Sequence, residues 1–242
     1  MDNNGDAIIV WDGGHIYKSE YRNGVWTHPG LGDYLCEDLG GIILPAVAMD
    51  NNGNAIIAWH TWTPQHVYSL LYRSEYRNGV WTHPTDINDH IHQVGASASY
   101  PSIAMNDNGQ AVIAYIGEND SGFTMLFKSE YQNGIWAEPV DLDDYLSIDN
   151  NSSANAPHVA MDNGGNAVIV WLQPAWYGNQ IFKAELRNGI WTGPVDIDDT
   201  VSIDESNANN PRIVMNDQGL ALISWSQVVV FEYNMFKAEY GF

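Results

Sequence analysis

Short apolar runs rich in Val, Ile, Trp and Tyr follow one another along the whole chain, and none sustains a 3.6-residue helical period. Asn-Gly, Asp-Asn and Pro interrupt them, which is the punctuation of strands and turns. The pattern predicts units of four short strands. Strand A is Pro101–Met105 or Pro157–Met161. A turn such as Asp50 to Gly53 leads into strand B, Asn54–Trp59, and a variable loop leads into strand C, Leu71–Arg77. Asn78-Gly79 then turns into strand D, Val80–His83. Asn-Gly between strand-like runs is a strong hairpin signal, because a type I′ turn needs positive φ at both central residues.

The unit repeats. Lys18-Ser-Glu-Tyr-Arg-Asn-Gly-Val-Trp returns from Arg73, Lys128, Lys183 and, in part, Lys237, at spacings of 55, 55, 55 and 54 residues. A second motif keeps the same phase at Met1, Met49, Met105, Met161 and Met215. One four-stranded unit cannot bury both faces of its sheet, whereas a ring of units buries each face against its neighbour. The expectation is an all-β chain: a single β-propeller domain over 1–242, about 4.5 repeats arranged as about five blades of four antiparallel strands. Five B and C strands but only four full A and D strands leave the terminal blades one strand short each. Such open ends read either as those of an excerpt from a longer repeat protein or as edges through which a homo-oligomer would pair. The B-strand aromatics (Trp11, Trp59, Tyr115, Trp171, Trp225) and D-strand Trp26, Trp81, Trp136 and Trp191 are the expected filler between blades.

The run Pro-x-x-Ala-Met-Asp-x-x-Gly-Asn-Ala-x-x-x-Trp resembles the A–B hairpin of NHL-type and related bacterial tandem-repeat propellers. It departs from the sialidase Asp-box, since no Thr-Trp follows the glycine. The resemblance implies a blade and not an activity.

Charge narrows the function. Nine Lys and Arg stand against 30 Asp and Glu, a formal net charge of −21. That excludes generic nucleic-acid binding, which needs a basic surface. No apolar run is long enough to span a bilayer. One cysteine, Cys36, excludes an internal disulfide framework. No signal peptide is expected within the chain, while a cell-surface or extracellular setting is expected for such a propeller.

The A–B and C–D turns are short and nearly identical, so any site is expected on the opposite face, formed by the B–C and D–A loops. The D–A loops carry fourteen acids and no Lys or Arg. Asp141, Asp143 and Asp144, with their equivalents Asp196, Asp198 and Asp199, could begin a calcium site; no other cofactor is expected. Trp62 and Trp176 are the two tryptophans that the repeat does not explain. With His60, His66 and Tyr177 nearby, they read as a platform for a sugar ring. His90 and His92 beside Asp86 and Asp89 are a weaker transition-metal candidate. Lys18, Arg73, Lys128, Lys183 and Lys237 stand two residues before Glu20, Glu75, Glu130, Glu185 and Glu239 and read as structural ion pairs.

Three functions follow. The leading expectation is a non-enzymatic, lectin-like glycan-binding propeller. The second is a scaffold or adhesin segment taking a basic protein on its acidic face. The third is a propeller glycoside hydrolase, for which Glu118 and Asp120, unmatched in the other repeats, are the candidate acids.

Overall fold

A computed structural model describes residues 1–35, 42–62, 68–86, 88–91, 97–149, 151–176, 178–203, 206–229 and 232–241. All regular structure among them is β. The first sheet is β1 (Ala7–Asp12), β2 (Ile16–Arg22) and β3 (Val25–Thr27). The second is β4 (Ile42–Met49), β5 (Ala55–Trp62), β6 (Ser69–Arg77) and β7 (Val80–Thr82). The third is β8 (Ala98–Met105), β9 (Ala111–Glu118), β10 (Thr124–Gln132) and β11 (Ile135–Ala137). The fourth is β12 (Asn155–Met161), β13 (Ala167–Ala175), β14 (Gly178–Arg187) and β15 (Ile190–Thr192). The fifth is β16 (Ala208–Met215), β17 (Ala221–Val229) and β18 (Glu232–Tyr240).

Every sheet is an antiparallel meander, and each packs on the next. The A strands β4, β8, β12 and β16 contact one another in succession, which makes them the innermost strands of the arc. Among the described residues the first sheet has no A strand and the last no D strand, in line with the repeat count.

The turns form as their residues demand. Asn23, Asn78, Asn133 and Asn188 all have φ between 51° and 53°, each followed by a glycine at positive φ. The A–B turns are held by a buried acid or amide. Oδ1 of Asp50 accepts from the amides of Asn52 and Asn54 at 2.9 and 2.8 Å. Asn106 does the same for Asn108 and Gln110. Neighbouring turns are tied together as well: Asn51 donates to both carboxylate oxygens of Asp107, and Asn163 donates to it from the other side. These amides hold the Asp107 carboxyl below its usual range, Asn51 contributing most.

Four apolar cores fill the four joints between consecutive sheets. Trp59, Tyr115, Trp171 and Trp225 are buried in them, and each stacks on an aromatic of the C strand. The D-strand Trp81, Trp136 and Trp191 pack against these cores as well, and two of them do more. Trp81 and Trp136 lie half-buried at the outer rim and donate Nε1 to Glu20 and Glu75 of the preceding blade. Lys18 and Arg73 sit over the same two rings, 4.7 and 4.4 Å from the centroids. The Lys/Arg–Glu pairs within strand C are present in all five blades, four of them half-buried. They are therefore half of a clasp between blades, and not only pairs along one strand.

Candidate functional site

The A strands begin earlier than the sequence pattern predicts, because proline does not start them. Each runs through an X-Pro step with a register shift against strand B: Ile43 to Ala46, Ser99 to Ser102, Asn155 to His158 and Asn209 to Arg212. The residue before each proline, Leu44, Tyr100, Ala156 and Asn210, sits at φ between 50° and 54°. Positive φ in non-glycine residues is costly, and a bulge re-aims the side chains beside it. All four bulges lie in the half of the A strand nearest the B–C and D–A loops, at the inner edge of the arc.

The residue after each proline occupies an equivalent position and is different in every blade: Ala46, Ser102, His158 and Arg212. The flanking strands repeat closely, so variety here marks a place released from the fold. Arg212 is the one basic residue of the four A strands. Its Nη1 donates to Nε2 of His158 at 2.5 Å, joining the fifth blade to the fourth. Burial first, and the Arg212 charge second, push the His158 pKa down to about 4. His158 is therefore neutral at neutral pH, and since Nε2 accepts from arginine its proton lies on Nδ1. The Val159 amide donates to Ser102 Oγ at 3.2 Å, which places the third blade beside this pair.

His60 belongs to the same region. It is buried at the end of β5, its pKa lowered to about 4 by burial alone. Its Nδ1 accepts from the amide of Tyr100 at 3.4 Å, and the two rings are 5.6 Å apart. It supports the strained Tyr100 and is not part of an open platform. Trp62 and Trp176 are both on the loop face, 51% and 72% exposed. Tyr177, His66 and His92 lie outside the described residues. The one sequence signal for Ser102, His158 and Arg212 is their variety at a single repeat position, which is passed over because the X-Pro step reads as an ordinary strand start; Tyr100 carries none.

The acidic motifs are engaged within their own loops. Asp141 Oδ1 accepts from the Asp143 amide and Asp144 Oδ2 from the Val140 amide. Asp196 and Asp199 repeat this with Asp198 and Val195. Among the described residues, no three His, Cys, Asp or Glu side chains converge as a metal site. Asp89 and His90 line one pocket without Asp86, and Asp89 accepts from the Thr85 amide and hydroxyl. Glu118 ends β9 half-buried, and Asp120 is exposed in the turn after it.

No protein-family model matches the chain, and no curated protein matches it. Solved structures do. A Dyadobacter fermentans protein of unknown function aligns over 99% of this chain and 76% of its own, at 12% identity and TM-score 0.61. An ulvan lyase of a polysaccharide lyase family aligns over 93% and 65%, at 13% identity and TM-score 0.57. An endo-arabinase from Bacteroides thetaiotaomicron aligns over 100% and 91%, at 12% identity and TM-score 0.51. The neighbours are propellers of the sialidase and arabinanase type, and they support a β-propeller fold for this chain. The chain spans just under two thirds of the ulvan lyase's length. The NHL-type resemblance finds no match, while the propeller part of the expectation stands.

These neighbours correct the leading functional expectation. A family-43 glycoside hydrolase and a sialidase also share the fold, so, apart from the Dyadobacter protein of unknown function, the neighbours named here are carbohydrate-cleaving enzymes. The non-enzymatic reading rested on repetition, which argues against one asymmetric cleft. The repetition breaks at the residue after each A-strand bulge, which differs in all four blades. Among the described residues, no helix is long and apolar enough to cross a membrane.

Proposed function

We propose that this propeller cleaves a polysaccharide at the inner mouth of its loop face, as a glycoside hydrolase. The observation that carries the reading is the equivalent A-strand position that becomes Ser102, His158 and Arg212 in adjacent blades, on the same face as exposed Trp62 and Trp176. A tryptophan face packs against a sugar ring, and arginine and neutral histidine hydrogen-bond sugar hydroxyls. Hydrolysis further needs two carboxyl groups in different environments. Glu118, half-buried, and Asp120, exposed, supply that asymmetry on one loop of this face. The acidic D–A loops favour an uncharged polymer, because a polyanion is repelled. A polymeric substrate also fits the expected extracellular setting.

A second reading, β-elimination on a uronate, is favoured by one observation: Arg212, held by His158 through Nη1 alone of its guanidinium nitrogens, places a cation at the inner mouth that could pair with a uronate carboxylate. Incubation with arabinan, other neutral polysaccharides and a uronate polymer separates the two. Hydrolysis releases reducing ends without ultraviolet-absorbing product and is lost in Glu118→Gln. Elimination produces an unsaturated, absorbing uronate and is lost in Arg212→Ala. Release from none of them overturns the proposal.

A further inference from the structure

Each internal joint is made of a forward face on one blade and a backward face on the next. In the joint between the third and fourth blades, the forward face presents Val112 and Leu126 and the backward face presents Ile169, Trp171 and Phe182. The fifth blade carries a forward face of its own, with Leu222 and Met235 in the places of Val112 and Leu126 by strand register. Leu222 and Met235 are 38% and 75% exposed, against 1% and 0% for their buried equivalents. A cavity of about 460 Å³ lies on this face, lined by Val214, Leu220, Leu222 and Tyr240. The first blade carries the complementary backward face. Ile9 is 52% exposed, whereas its equivalents Ile57 and Ile169 are fully buried, and Trp11 stacks on Tyr17 as Trp59 does on Tyr72.

We propose that the forward face of the fifth blade docks on the backward face of the first blade of a second copy, head to tail. The two exposed faces are the two halves of a joint that this chain already makes four times, so the contact continues an interface that the fold has established. The polar groups match too. Lys237 and Glu239 are exposed and paired with each other. They stand where Lys18 and Glu20 take the Trp81 ring and its indole N–H. Trp26, 41% exposed, is the first blade's equivalent of Trp81 and would meet them. Such a contact is heterologous, so it closes into a ring of copies or extends as a chain.

The test is the mass of the 242-residue protein in solution across a concentration series, by sedimentation or light scattering. Association that rises with concentration is expected. Leu222→Asp and Ile9→Asp should each give a monomer, with circular dichroism unchanged because both positions are exposed. Mixed together, the two variants should form a one-to-one dimer, since each retains one intact face; Met235→Asp with Trp26→Ser is a second pair with the same expectation. A wild-type monomer at all concentrations overturns the proposal, as does association in which neither mixed pair complements.

Discussion

Nε1 of Trp81 donates to Oε1 of Glu20 at 2.8 Å across the joint between the first and second blades, while Lys18 lies over the same indole. One glutamate thus serves its own strand and the next blade. Lys18, Arg22 and the Trp81 indole together hold the Glu20 carboxyl below its ordinary range despite the opposing effect of burial. Trp81→Phe keeps the ring and removes the donor. Thermal melts should show a loss on the order of 1–2 kcal/mol, reduced by partial exposure. Glu20→Gln should lower stability in the same direction. In the double variant the two losses should not add, because they remove one interaction.

The A–B turns give a paired prediction. Asp50 is buried and accepts two backbone amides and the Asn54 side chain. Asp50→Ala leaves those donors without an acceptor and should cost roughly 2–4 kcal/mol in chemical denaturation. Asp50→Asn should cost clearly less, because Asn106 fills the same role in the third blade through its amide oxygen.

Ala156 holds φ of 50° directly before Pro157. A Cβ there works against the backbone, and glycine would remove the strain at some cost in unfolded-state entropy. Ala156→Gly should therefore raise the melting temperature, by an amount corresponding to about 0.5–1 kcal/mol. A lower melting temperature would mean that the bulge is not strained at this residue.

Much of the scaffold was legible because repetition amplifies local chemistry. Asn78-Gly79 dictates its turn, and a 55-residue period with Trp59 and Trp171 in phase dictates stacked sheets. The clasp was half visible: Lys18 and Glu20 were readable as partners two apart on a strand. Their third partner, Trp81, lies 61 residues away and required the blade packing. The candidate site was legible least. Trp62 and Trp176 announced themselves as exceptions to the repeat, but His158 and Arg212 sit inside well-formed repeats. Their meaning depends on a bulge that places successive A strands' equivalent residues side by side. His60 looked like a ligand group and is instead buried under Tyr100, because strand B runs three residues further than its apolar pattern.

Acid should weaken the fold in two stages. His60 and His158 both have folded pKa values of about 4, below the ordinary 6.5. Between those values the unfolded chain binds more protons, so their contribution is intact above about pH 6.5 and declines as pH falls toward 4. Glu20, Glu185 and Asp107 have depressed pKa values, so their contribution is lost at lower pH, as the folded carboxylates protonate. Melting temperature should thus fall first between pH 6.5 and 4. His158→Gln should make that first decline shallower, leaving the share of His60 and the lower decline in place. An identical pH profile for the variant would remove His158 from the account.

Arg212 offers the most discriminating test of the inner mouth. It contributes the smaller of two downward pressures on the His158 pKa, burial being the larger. In Arg212→Ala, His158 followed by NMR titration should move up from about 4, yet stay below 6.5 because the ring remains buried. Arg212→Lys restores a positive charge without the planar donor pair, so the titration should return toward the native value while glycan binding does not. On the substrate identified by the polysaccharide assay, Arg212→Ala and Arg212→Lys should both raise KM, and His158→Gln should change it in the same direction. If Arg212→Ala leaves KM unaltered while shifting the His158 titration, the pair joins the fourth and fifth blades and takes no part in holding sugar.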